Sequence, residues 1–203
     1  MAMLQQRKTS AGFSLMEVLI TMLIILIGLL GIVALQGQAQ VAELEAYQRA
    51  QALIMMSDIV DRLNTNRSTL NCFRITTDAT DGTPFLGTAG TGHLGTPACA
   101  ASTTAYNNLA NSALTGIDNL LKGNFERISG VSVGAMIGAR ACISYDNTTE
   151  LGGAPGTGLY TVIVTWQGMS NLNEPTQMCA KDLYGTEAQR RAISTTLRIA
   201  DLF

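Results

Sequence analysis

Six side chains have types that bear on chemistry: Glu17, His93 and the four cysteines Cys72, Cys99, Cys142 and Cys179. The cysteines contain no C-x-x-C pair, which excludes zinc ribbons and thioredoxin-type redox motifs. His93 is the single histidine, set in Gly90-Thr91-Gly92-His93-Leu94-Gly95, and no paired His or Cys spacing accompanies it. A solvated loop residue is therefore expected there, not a metal ligand. Gly130-Val131-Ser132-Val133-Gly134 has the letters of a nucleophile elbow, but its flanks read as strand or loop, without the helix that G-x-S-x-G requires. Asp146, Glu150 and Asp182 lack the dense spacing of a calcium loop. The glycines from Gly87 to Gly95 are not followed by the Lys-Ser/Thr of a phosphate loop. The sequence thus implies no enzyme and no cofactor. Net charge is −2 with a pI near 5.3, so the chain is not built to coat nucleic acid. Arg190-Arg191 with nearby Arg198 reads as a small, solvated basic patch.

Glu17 is the exception, because of where it lies. Residues 13–35 read FSLMEVLITMLIILIGLLGIVAL, with Ser14, Glu17 and Thr21 as the polar side chains. A helix of that length rises roughly 34 Å, enough to cross a ~30 Å hydrocarbon core. A lone carboxylate inside hydrocarbon costs about 2.5–3.5 kcal/mol and ordinarily has a partner. No Lys, Arg or His lies between Lys8 and Arg49. Either Glu17 snorkels or is protonated near the interface, or its partner is a newly made α-amino group on this chain or a neighbour. The preceding twelve residues carry Arg7 and Lys8 and no acid, which keeps that end cytoplasmic and sends the larger part into the periplasm. Conventional signal-peptidase cleavage after Leu35 is poor, since Ala34 is a weak recognition residue and Gln36-Gly37-Gln38 follows. The small residue that stands out is Gly12, before the apolar run.

Gly12-Phe13-Ser14-Leu15-Met16-Glu17-Val18, after a basic leader and before a long apolar run, resembles the prepilin signature of type IV pilins and pseudopilins. The resemblance implies cleavage between Gly12 and Phe13 by prepilin peptidase, N-methylation of Phe13, and amine pairing by Glu17 during assembly. Over roughly residues 12–67 the chain is also similar to minor pilins of the type IV pilus modification (PilV) family. The segments carrying that likeness are Gly28-Leu29-Leu30-Gly31, Ala46-Tyr47-Gln48-Arg49-Ala50-Gln51-Ala52 and Asp58-Ile59-Val60-Asp61-Arg62-Leu63. It implies work with other minor pilins, the major pilin and a tip adhesin-like protein, first at the inner membrane and then in the pilus. A type II secretion pseudopilin and a DNA-uptake pilin are the rival readings.

The elements that must carry these residues follow from pattern. No proline precedes Pro84, so one helix can run from about Phe13 to about Asn64. Its continuation over residues 36–66 is amphipathic, with Val41, Leu44, Leu53, Met56, Val60 and Leu63 as an apolar stripe and Met55 and Ile59 widening it. Residues 76–117 are mostly Gly, Ala, Ser, Thr and Asn, with a short helix predicted over 102–122. Residues 139–145, 159–166 and 192–200 read as strands, with a turn at 147–156. The predicted fold class is α+β: a long N-terminal helix packed on a small antiparallel sheet of three or four strands, similar to the type IV pilin fold. Four expected parts follow: a leader at 1–12, a transmembrane or filament-core helix at 13–35, its amphipathic continuation at 36–66, and a periplasmic head at 67–203. Four cysteines in an exported chain favour disulfides and allow three pairings. Cys72–Cys99 and Cys142–Cys179 are the expected pairs, the second stapling the loop from Gln167 to Arg191 onto a strand. Buried free thiols are the alternative.

Overall fold

The computed structural model of the chain describes residues 12–90, 102–123, 127–132 and 136–199. In chain order its elements are α1 (Leu15–Thr65), β1 (Leu86–Gly87), α2 (Thr104–Leu121), β2 (Arg127–Ile128), β3 (Val131–Ser132), β4 (Arg140–Asp146), β5 (Leu159–Gln167) and β6 (Arg190–Arg198). Contacts divide the chain into two units, Met1–Glu43 and Leu44–Phe203, and α1 contributes to both.

In the first unit, helix forms because Leu, Ile, Met and Val follow one another without a proline, and among the described residues nothing in the unit packs against it. Every residue from Gly12 to Gln40 is exposed. The most apolar window of α1 is long enough to cross a membrane, and 0% of it is buried. Among the described residues nothing covers these apolar side chains, a large exposed apolar surface of the kind that marks a membrane or protein interface.

The second unit has its own core. Ala52, Met55, Ile59 and Leu63 on α1 recur every three or four residues and are buried. They cluster with Leu114, Ile117 and Leu121 of α2 and with Ala141, Ile143, Tyr160, Val162, Val164 and Trp166 of the sheet. The buried stripe is turned from the one read in the sequence: Leu44 and Leu53 are each 48% exposed. A helix advances about 100° per residue. The residues expected to widen the stripe, Met55 and Ile59, therefore sit at its centre.

The main sheet has the order β1-β4-β5-β6, all pairs antiparallel. β1 is two residues long and was not foreseen. Asp118 of α2 positions it, accepting from the Gly87 amide at 2.9 Å while pairing with Lys122 at 2.6 Å. Gly87 has φ +101, and a Cβ there would lie 2.3 Å from the Ala139 carbonyl oxygen, so this crossing needs glycine. β2 and β3 form a separate hairpin. Ser132 of the apparent nucleophile motif thus lies on a two-residue strand.

The sheet's other face is covered by the loop 168–189. Cys179, Ala180 and Tyr184 pack there with Cys142 and Ile163. The Cys142–Cys179 disulfide closes the expected staple across 37 positions. Cys99, of the expected Cys72–Cys99 pair, lies outside the described residues, as does His93.

Candidate functional site

The N-terminal motif begins in non-helical backbone. Gly12, Phe13 and Ser14 precede α1, and Phe13 is 85% exposed. The Ser14 hydroxyl oxygen accepts from the Met16 amide at 3.3 Å, and its carbonyl accepts from the Glu17 and Val18 amides at 3.0 and 3.2 Å. Serine at this place suits a helix start, because it satisfies amides that lack an intrahelical acceptor. The Gly12–Phe13 bond is therefore unwound and accessible just before the helix forms.

Among the described residues nothing requires glycine at position 12. A Cβ built on it would meet nothing within 4 Å, and its φ lies outside the left-handed region. A glycine that neither packing nor conformation requires points to an outside agent that needs the small residue. Gly28, Gly31 and Gly37 share this property, each with open space at the Cβ position.

Glu17 lies in the first turn of α1 and is exposed. Among the described residues it has no ion-pair partner; the cationic groups that do pair engage Asp58, Asp118, Glu187 and Glu45. The structure thus leaves Glu17 as an exposed acid in an apolar segment, with no ion-pair partner among the described residues.

In the second unit, charges that the sequence could not pair are closed internally. Oε1 of Glu45 accepts from the amides of Met169 and Ser170 at 3.1 and 3.0 Å and from the Ser170 hydroxyl at 2.7 Å. Arg191 adds a hydrogen bond at 3.1 Å. Burial pushes the Glu45 carboxyl up, but the Ser170 hydrogen bonds and the Arg191 charge outweigh it, and the net shift is downward. Arg190 is 2% exposed and pairs with Glu187 at 2.6 Å. It also donates to the carbonyls of Pro175, Gln177 and Cys179. This corrects the reading of Arg190-Arg191 as a solvated basic patch, and it explains why β6 begins two residues before the predicted strand. Burial of so large a cation is tolerable because carboxylate and carbonyls together replace its water. Tyr184, hydrogen-bonded to Thr165 at 2.8 Å and to the Gly138 carbonyl at 3.0 Å, has its phenol pushed up by burial.

Sequence reasoning missed Glu45, Asp118 and Glu187 as organisers of the head. The Glu45 bonds span 124 to 146 positions, so no local pattern announces them. Among the described residues no group of three His, Cys, Asp or Glu is placed to hold a metal.

Residues 7–33 match the family model of the prokaryotic N-terminal methylation motif. No curated protein and no solved structure matches the chain significantly. The match spans the basic leader, Gly12, Phe13, Glu17 and most of the exposed apolar helix. It implies processing by prepilin peptidase and assembly with other pilins, and it fits the α+β head and single apolar helix described above. The chain thus carries the N-terminal signal of a single-pass inner-membrane subunit of the type IV pilin-like kind, pilin or pseudopilin.

Proposed function

We propose that this chain is a minor pilin similar to the type IV pilus modification protein PilV, acting by subunit docking. Prepilin peptidase cuts between Gly12 and Phe13 on the cytoplasmic side and methylates the new amine of Phe13. The head, 67–203, waits in the periplasm on its helical support, held to the inner membrane by residues 13–35. On assembly the apolar helix leaves lipid for the filament core, and Glu17 pairs with an N-terminal amine. Methylation leaves that amine positive, so the pairing survives it. Each charge alone is costly in a low-dielectric bundle, and together they fix register. With other minor pilins the subunit primes assembly on the major pilin and stays at the tip beside an adhesin-like protein.

The observation that carries this reading is the join of Gly12 and Glu17 to a wholly exposed apolar helix. Each of the three lacks a cause inside the chain, and a processing enzyme plus neighbouring subunits supplies all of them. Deletion of the chain in its native host tests the role. Surface pili should fall sharply while type II secretion continues. Normal piliation with a secretion defect would make it a pseudopilin instead.

A further inference from the structure

The outer edge of β6 is an open strand edge. Antiparallel pairing gives alternate residues of a strand to each neighbour. The Gly168 amide donates to the Gln189 carbonyl at 2.8 Å, whereas the Gln167 amide turns the other way, to the Ile137 carbonyl. Carried along the register, this parity commits Arg191, Ile193, Thr195 and Leu197 to β5. The amides and carbonyls of Ala192, Ser194 and Thr196 then face outward. Among the described residues none of these six groups has a backbone partner.

Gln177 donates to the Ser194 hydroxyl oxygen at 3.3 Å and arginines stand at both ends of β6, but among the described residues its middle carries none of the usual blunting devices. Ala192-Ile193-Ser194-Thr195-Thr196-Leu197 has no proline, no charge and no bulge, and Thr and Ile favour extended backbone. Ile193 and Leu197 pack only partly against the core and are not fully covered. A further strand with apolar side chains on that face would complete their cover.

Charge selects the occupant. Arg190 and Arg191 are already paired with Glu187 and Glu45. Arg198 at the far end donates to the carbonyls of Thr149 and Thr157 and, among the described residues, meets no carboxylate. A second copy paired about Ser194 would set Arg190 opposite Arg198, and the acid that comes with it, Glu187, is already engaged by Arg190. We infer that β6 takes an added strand from a different protein. That strand alternates apolar and hydroxyl side chains and carries a carboxylate at the end that meets Arg198. Main-chain bonds supply attachment, and the acid supplies direction. The inference stands whether the chain serves a pilus or a secretion machine.

The test uses the full-length chain in detergent micelles and a peptide of alternating threonine and valine with an aspartate at each end. Amide hydrogen exchange is followed residue by residue. The peptide should slow exchange at Ala192, Ser194 and Thr196 at least tenfold and leave β4 and β5 unchanged. Ser194→Pro removes an outward N–H that the sheet does not use, so the fold survives it and the protection is lost. Thr196→Val keeps the backbone edge and should keep the protection. The same peptide with lysine ends should protect far less. Free exchange at the three amides, equal protection in Ser194→Pro, or equal protection by the lysine peptide would overturn the inference. So would protection that rises with protein concentration alone, which would make the occupant a second copy.

Discussion

The two parts of α1 share one backbone and have opposite surroundings. From Gly12 to Gln40 every residue is exposed, although most are apolar. From Ala52 to Leu63 the apolar residues of one face are buried against α2 and the sheet. The same contrast holds for charge. Glu17 has no ion-pair partner among the described residues, whereas Glu45 gathers two amides, a hydroxyl and a guanidinium. One region is finished by its own chain and the other is left for partners. An exposed apolar surface and an acid without an ion-pair partner among the described residues are what the proposed assembly role would use.

Substitutions can break this contrast, and the largest effect belongs to Glu17. Glu17→Val should leave membrane insertion intact and cut incorporation into sheared pili at least tenfold, by immunoblot of the pilus fraction. Normal incorporation would show that the exposed acid is incidental. Next comes a matched pair on the one helix. Ile59→Ala should destabilise the head by about 2–5 kcal/mol in denaturant melts, through lost burial and a cavity. Ile27→Ala should leave the head's melting unchanged, because Ile27 is 63% exposed. Equal losses would mean that the first unit contributes to head stability after all.

Replacing both Cys142 and Cys179 by serine should cost the head about 3–4 kcal/mol, the loop-entropy value for a closure of this length. The loop 168–189 would then be held by hydrogen bonds and ion pairs without a covalent tie, and proteolysis should cut it first. The smallest effect concerns pH. The folded Glu45 carboxyl lies below its ordinary value of 4.5. Its stabilising contribution is therefore complete above that value and is lost as pH falls through the lowered folded one. Glu45→Gln should flatten the acid limb of the stability curve below the ordinary carboxyl value of 4.5, and an unchanged curve would place the latch elsewhere.

Much of this arrangement was legible in local pattern. The unbroken apolar run and the absence of proline marked α1 within two residues at each end. Alternation marked β4, β-branched and aromatic runs marked β5 and β6, and the stapled loop followed from Cys142 and Cys179. What stayed hidden depends on residues far apart in the chain. β1 exists because Asp118 holds the Gly87 amide, a contact made only after α2 has packed. Arg190 looked solvated because the carbonyls that surround it come from a loop whose path the sequence does not display. Gly12 and Glu17 stand out in the sequence against the apolar run, and among the described residues nothing packs on the first or forms an ion pair with the second.

The most direct measurement is the mass of the N-terminal peptide from membranes or sheared pili. The account predicts a chain that begins at Phe13 and carries one added methyl. A chain that keeps residues 1–12, or one cut near Leu35, would contradict it and remove the pilin-like route altogether.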